Sequence, residues 1–567
     1  MVQKKYSVLA IGLDSCEPSL LERWIDQGLL PNLAQLKAKG TYQRLENFKD
    51  SNVETAWTSF CTGCSPEKTG YWAALGLQEG TYQTETYQAY NFEEFPPFMA
   101  LGEDYQVSVF DVPQLRLNPK IDGLQVGGWG AHSPQVASSS LPPELFDQVV
   151  SQHGNHPALH NDYSVCLDLK KTLALEAKFI AGIERKAKIC CDLLQRQEWD
   201  LFLTVFGEPH GGGHVFWQLS QPDHPLYEAL KSQVDHDPLL AIYQAIDRAI
   251  AEIMAVIPEE MQVVLFAAHG MGFATIDLPT FVILPEFLYR FNFPGKWALG
   301  HGNLEDPLSP PTTTMKGNWW ERHIWGTQFD PNPLKRFLRA ELPSRLFRMV
   351  RPWLDQDSAT GLLFGDDLAQ QGVAETPWMP AQWYQPLWPS MKAFALPSFS
   401  EGYVRINLKG REPEGIVDPA DYHALCDEIE AKLYALREPR TDIPLVDHIV
   451  RPRQNPLDKN PKLPDADLIV VWQEKYPTDV ADSPDYGRIG PFPPYRAGSH
   501  RAEGFILATG PGIDPDSALS DGHVLDLAPT ILDLMGAPIP DYLEGKPLLA
   551  HLPAPAHRVG DLSEVAP

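Results

Sequence analysis

Val8-Leu-Ala-Ile-Gly-Leu-Asp14 is a continuous apolar run of strand length that ends on a single carboxylate. An apolar segment without polar alternation suits a strand covered on both faces, and a mostly parallel sheet with helices on each side provides that setting. Asp14 then falls at the strand's carboxyl end, the edge where open α/β sheets bind ligands. It is a candidate metal ligand or phosphate-site acid, with capping of a helix near Pro18 as the structural alternative. Outward from this strand, Leu20, Leu21, Trp24 and Ile25 recur at helical spacing up to Gly28. Pro31 opens a second helix, carrying Leu33 and Leu36, that closes at Gly40. This is the strand–helix unit of a wound sheet.

The 567 residues leave room for one large α/β domain with insertions or for several smaller domains. Lysine and arginine total 46 against 74 acids, a formal charge of −28. That balance argues against nucleic-acid polymers or anionic membranes as partners over the general surface, and an anionic substrate needs a local positive centre such as bound metal. The opening Met1-Val-Gln-Lys-Lys has no signal-peptide pattern, and no apolar run is long enough to span a bilayer. A cytoplasmic protein with a small-molecule ester substrate and no membrane partner is expected. Oligomeric state is not legible. Cys61 and Cys64 have no second pair at zinc-ribbon spacing, so the seven cysteines read as reduced thiols or apolar fillers.

Three further stretches carry chemistry. Ser51-Asn-Val-Glu-Thr55-Ala-Trp-Thr-Ser-Phe-Cys-Thr-Gly63 is a hydroxyl-rich loop running into a helix, suited to capping or to presenting a nucleophile to backbone N–H groups. Trp199-Asp-Leu-Phe-Leu-Thr-Val-Phe206 is another buried strand, followed by His210-Gly-Gly-Gly-His214. Two histidines four apart face one ion if the backbone between them is helical, and the glycines also permit a turn folded closely round a ligand. Gln262-Val-Val-Leu-Phe-Ala-Ala-His269 ends a further strand on a histidine before Gly270 and Gly272.

The Val8–Asp14 strand, the Thr-Ala-Trp-Thr-Ser-Phe-Cys-Thr-Gly run and Pro66 with Gly70 resemble the alkaline phosphatase superfamily, in its type I phosphodiesterase/nucleotide pyrophosphatase-like branch. The Ile406-Asn-Leu-Lys-Gly-Arg-Glu412 segment, His500 in its glycine-bounded loop and the helix after Asp526 resemble that branch in the same order. The resemblance implies an α/β fold: a mostly parallel central sheet with helices on both faces, alkaline phosphatase-like, plus an inserted aromatic-rich cap. It implies metal-dependent hydrolysis of a phosphodiester or phosphomonoester, such as a nucleotide derivative. One or two divalent ions are expected, zinc first, with Asp14, His210, His214, His269 and His500 as ligands.

The chain departs from the family pattern at three places. Val53 stands at the usual nucleophile spacing, leaving Thr55 as the candidate and Ser51 as second; His210 and Ala268 replace ligand aspartates. A one-metal hydrolase of an acyl, carbamoyl or sulfate ester is the alternative, and a catalytically weak ligand-binding relative the third reading. The expected division is a core at 1–274, a cap at 275–400, a second core part at 401–552 and a loose tail at 553–567. The cap holds Trp319, Trp320, Trp325, Trp353, Trp378, Trp383 and Trp388 with a basic patch from Lys335 to Arg351. These aromatics either stack on a base or sugar or form plain cap core.

Overall fold

A computed structural model describes residues 6–549 apart from 88, 131–135, 160, 162, 166, 313–319, 357–358, 373, 400 and 516–520. Trp319 and the tail expected from residue 553 lie outside the described residues. Val8–Leu13 is a fully buried strand near the middle of a nine-stranded sheet. Along the sheet the order is Gly522–His523, Thr41–Glu46, Gly504–Thr509, Gln262–Ala267, Val8–Leu13, Leu201–Phe206, Val107–Phe110, Gly123–Gly127 and Ser139–Leu141. The five strands from Gln262–Ala267 to Gly123–Gly127 run parallel. Gly504–Thr509 and Ser139–Leu141 are antiparallel to their neighbours.

Alternate side chains explain the two covered faces. Leu9, Ile11 and Leu13 enter one apolar core, shared with the helices Leu169–Leu194, Glu208–Ser220 and Pro238–Met254. Val8 and Ala10 enter the other, under the helices Asn52–Thr62 and Leu527–Met535. The Pro238–Met254 helix starts where Asp237 accepts from the N–H groups of Leu239 and Leu240, and it buries Ile242, Ile246, Ile250 and Ile253 at helical spacing.

A second lobe has its own core, built from residues between Ile276 and Phe492 together with Trp72, Leu75 and Leu77. Its four-stranded antiparallel sheet orders Ala393–Leu396, Gly402–Ile406, Leu468–Trp472 and Val446–Val450. Strands 402–406 and 468–472 pair within this lobe's sheet, and the chain rejoins the large sheet at Gly504. Trp320, Trp325, Trp383 and Trp388 are buried in the lobe's core and are not presented to a ligand. Among the described residues no helix is long and apolar enough to cross a membrane.

The Ile406–Glu412 segment has a structural task. Asp467, fully buried, accepts from Arg411 Nη1 at 2.7 Å and Nη2 at 2.6 Å, from Tyr422 Oη at 3.0 Å and from the Ile406 N–H at 2.7 Å. Burial works to raise this carboxyl, but the Arg411 guanidinium and its companions outweigh it and hold Asp467 below the usual 3.8. Its stabilisation is present above that value and lost as pH falls through the folded one. Asp467→Ala is expected to cost about 3–5 kcal/mol at neutral pH, because it strands a buried guanidinium, and urea unfolding should show the deficit shrinking below about pH 4. Glu401, at the seam between lobes, goes the other way: burial, then like charge from Asp50 and Glu54, pushes it from 4.5 to about 8. That contribution is full below 4.5 and lost as pH rises to 8, so Glu401→Gln should flatten the fall in Tm between about pH 4.5 and pH 8.

Candidate metal centre

Four segments meet beyond the carboxyl ends of the central strands. Asp14 follows Val8–Leu13, and its N–H donates to the Phe206 carbonyl at 2.9 Å, so it is locked beside the exit of the neighbouring strand. Glu208–Ser220 begins two residues after that exit and is helical through all three glycines, so His210 and His214 share one face. The glycines serve helix packing and do not fold round a ligand: a Cβ would meet Phe179 at 2.7 Å from Gly211, Ile242 at 2.7 Å from Gly212 and Met271 at 2.6 Å from Gly213. His269 follows the Gln262–Ala267 strand. His500 arrives on an antiparallel ribbon in which Gly270–Phe273 pairs with Gly498–Arg501, Met271 opposite His500.

All five predicted ligands gather in a buried cluster. Asp14 Oδ1 lies 3.2 Å from His269 Nε2, and Asp14 Oδ2 lies 3.6 Å from His210 Nδ1. His210 Nε2 and His214 Nε2 are 2.8 Å apart, and His269 Nδ1 and His500 Nδ1 are 3.1 Å apart. Donor atoms of His210, His214 and His500 lie within 4.8 Å of one another. Four nitrogens around tetrahedral zinc stand roughly 3.3 Å apart, given zinc–nitrogen bonds of about 2.0–2.1 Å, so the spacing fits a shared cation.

The hydrogen bonds around the cluster support the same reading. His214 Nδ1 lies 2.7 Å from the Gly498 carbonyl, which can only accept; the ring proton is therefore on Nδ1 and the lone pair on Nε2. Gly498 makes that approach possible, since a Cβ there would stand 2.4 Å from the Gly213 carbonyl. Trp57 Nε1 donates to Asp14 Oδ1 at 2.9 Å and fixes the carboxylate, while Asp14 Oδ2 is buried without a hydrogen-bond partner. An orphaned carboxylate oxygen among inward-facing imidazoles is a donor set that a divalent cation satisfies. Ala268 packs in the apolar core under the sheet, so no carboxylate stands where the family places one.

Thr55 is buried on the Asn52–Thr62 helix two residues before Trp57, and its hydroxyl donates to the Ser51 carbonyl of its own helix. Ser51 Oγ is buried and unpaired. Ser15 was not legible as a site residue. It takes φ +53°, in the left-handed region that favours glycine, and this turns its Oγ to 3.1 Å from His500 Nδ1 and 3.3 Å from His269 Nδ1. The only sequence signal was its place directly after Asp14.

Arg496 was missed as well. Its Nη1 lies 3.1 Å from His214 Nε2 and its guanidinium 4.9 Å from the Tyr495 ring centre. Arg496 also lines a shallow cleft with a cavity volume of about 40 Å³, whose walls include Leu226, Leu278, Tyr476, Tyr495 and Asp277. Asp277 Oδ2 is buried there without a hydrogen-bond partner, and burial pushes the carboxyl up to about 6 against the pull of Arg496.

Residues 8–288 match the model of the family described as type I phosphodiesterase / nucleotide pyrophosphatase. Among solved structures, phosphonoacetate hydrolase from Sinorhizobium meliloti 1021 is similar at 14% identity, with 94% of this chain and 96% of that one covered and a TM-score of 0.47. Alkaline phosphatase PafA is similar at 13% identity, over 97% and 99% of the two chains, with a TM-score of 0.47. Murine ectonucleotide pyrophosphatase / phosphodiesterase 5 is similar at 11% identity, over 94% and 96%, with a TM-score of 0.41. No curated protein sequence matches the chain.

Metal analysis after dialysis is expected to find at least one divalent ion per chain, and His214→Ala or His500→Ala is expected to lower zinc affinity by more than about 100-fold, the scale set by removing one imidazole from a closed donor set.

Proposed function

Through residues 8–288 the chain belongs to the type I phosphodiesterase / nucleotide pyrophosphatase family, and on that premise we propose that it hydrolyses a phosphoric ester, a phosphodiester such as a nucleotide derivative first, at the buried Asp14–histidine cluster. The observation that carries this reading is the convergence of Asp14, His210, His214, His269 and His500 from four separated segments. Divalent metal, zinc by the nitrogen-rich donors, supplies Lewis-acid charge for a phosphoryl group when bound. His210, His214 and His500 are the tightest set for one ion. Asp14 and His269, with a hydroxyl from Ser15 or Thr55, are the remaining set for a second.

The chain's own groups then divide the work. Arg496 sits between the cluster and the cleft, placed to bind the anionic group while the apolar cleft wall takes the organic part of the ester. Ser15 Oγ is the hydroxyl nearest the imidazoles. In the one-ion arrangement, where His269 is not a ligand, Ser15 Oγ attacks phosphorus as its proton passes to His269 Nδ1, with His269 Nε2 3.2 Å from Asp14 Oδ1. The bond to the alcohol oxygen breaks, that proton goes to the leaving alkoxide, and water then cleaves the phosphoserine ester and restores Ser15. Thr55 is the second nucleophile, available once its hydroxyl rotates away from the Ser51 carbonyl. Buried Ala268, in place of a carboxylate, favours as second reading a one-ion enzyme acting on a less charged acyl, carbamoyl or sulfate ester. The buried free thiols of Cys16, Cys61, Cys64, Cys190 and Cys426 support a reducing, cytoplasmic setting.

Bis-p-nitrophenyl phosphate, p-nitrophenyl phosphate, p-nitrophenyl sulfate and p-nitrophenyl acetate separate these readings. The diester is expected to be the best of the four, with Ser15→Ala and His214→Ala each lowering kcat/KM by about 100-fold or more, the usual effect of removing a nucleophile or a metal ligand. A normal rate in Ser15→Ala with a lost rate in Thr55→Ala moves the attack to Thr55. Cleavage of the acetate or sulfate alone rejects the phosphoester assignment.

A further inference from the structure

Two consecutive helices of the second lobe, Pro333–Glu341 and Ser344–Leu354, are amphipathic in an unusual sense. Their inner faces are settled. Phe347 and Leu354 are fully buried, the Arg322 guanidinium lies 3.8 Å over the Phe347 ring, and buried Arg339 bonds Asp330 and Asp355 at 3.1 Å each. Arg351 grips Asp367 through both Nη atoms, at 2.5 and 2.7 Å.

The outer faces are apolar. Leu334 and Phe337, three apart on the first helix, are 57% and 62% exposed; Leu346, Met349 and Trp353, at i, i+3 and i+7 on the second, are 50%, 78% and 47% exposed. Lys335 Nζ stands 5.3 Å from the Trp353 ring, so the start of one helix lies beside the end of the other and the two faces adjoin. Large exposed side chains concentrated on one patch mark an interaction surface.

Charge identifies the occupant. Residues 333–354 hold Lys335, Arg336, Arg339, Arg345, Arg348 and Arg351 against the single acid Glu341, in a chain whose formal charge is −28. Arg345 and Arg348 are exposed and Arg336 is half-buried beside the apolar patch, while Lys335, which donates to the Leu354 and Gln356 carbonyls, stands at its edge over Trp353. We propose that this helical pair docks in the plane of an anionic lipid bilayer, with Leu334, Phe337, Leu346, Met349 and Trp353 entering the acyl boundary and the basic rim meeting lipid headgroups. Tryptophan, phenylalanine and leucine between lysine and arginine is the composition of an interfacial helix, and each basic residue near such a surface adds attraction that salt screens. The acidic remainder of the surface orients the molecule, since it is repelled by the same bilayer.

The test is flotation of the full-length protein with vesicles of phosphatidylcholine containing about 30% phosphatidylserine, a typical anionic composition, and with phosphatidylcholine alone. Wild type is expected to float with the anionic vesicles, at least tenfold less with the neutral ones, and to be released by high salt. A Phe337→Ser, Met349→Ser, Trp353→Ser variant and an Arg345→Glu, Arg348→Glu variant are each expected to lose flotation by at least tenfold while keeping the wild-type Tm and p-nitrophenyl ester hydrolysis. Absence of wild-type flotation overturns the proposal, as does equal, salt-independent binding to neutral vesicles. A concentration-dependent dimer that the triple variant splits, without lipid binding, also overturns it and makes the patch a contact between copies.

Discussion

The centre depends on one non-local pairing, the ribbon of Gly270–Phe273 against Gly498–Arg501. Strand ends of the large sheet deliver Asp14 and His269, and a helix directly after a strand delivers His210 and His214. His500 has no such support. It is held by the ladder to Met271, by Arg501, whose guanidinium donates to the His500 carbonyl at 2.7 Å and the Phe273 carbonyl at 2.8 Å, and by close approach of Gly498 to the Glu208–Ser220 helix. Side chains at both Gly213 and Gly498 would push the helix from the ribbon and separate His214 from His500, so small residues here determine whether a donor set exists at all.

Much of this was legible because it is local. Buried strands announce themselves as unbroken apolar runs, and the residue after each run is fixed at the ligand edge whatever the loops do; Asp14 and His269 follow from that rule, while His210 lies on the helix that starts just beyond Phe206. His214 follows from helical spacing once Glu208–Ser220 is helical. What the sequence concealed depends on backbone angles and long-range pairing. Ser15 shows no motif, and its place comes from a left-handed φ at a position where no glycine advertises it. Arg496 reaches His214 across 282 positions. The strand at 468–472 has the same apolar signature as those of the main sheet, and only its register with Gly402–Ile406 assigns it to the second lobe.

The second lobe also shows why residue type alone does not give a role. Its tryptophans look like stacking platforms in sequence, yet most are core. The same basic stretch contains arginines of two kinds: Arg339 and Arg351 are tied to carboxylates and hold helices to the lobe, while Arg345 and Arg348 are exposed. Spacing relative to Phe347 and Leu354 separates the two kinds, because every third or fourth position turns inward.

The distance along the chain between the first four donors and the last has a temporal consequence. As the polypeptide leaves the ribosome, the aspartate and three imidazoles emerge within the first half, but the remaining imidazole follows only after more than two hundred further residues. Until then the cluster lacks the imidazole that pairs with His214 and His269 in the finished fold, and the second-lobe residues from Ile276 to Phe492 lie along the chain between the two strands of the ribbon. The five-residue cluster is thus assembled only by a chain that has been made through residue 501, since the ribbon that carries His500 ends there.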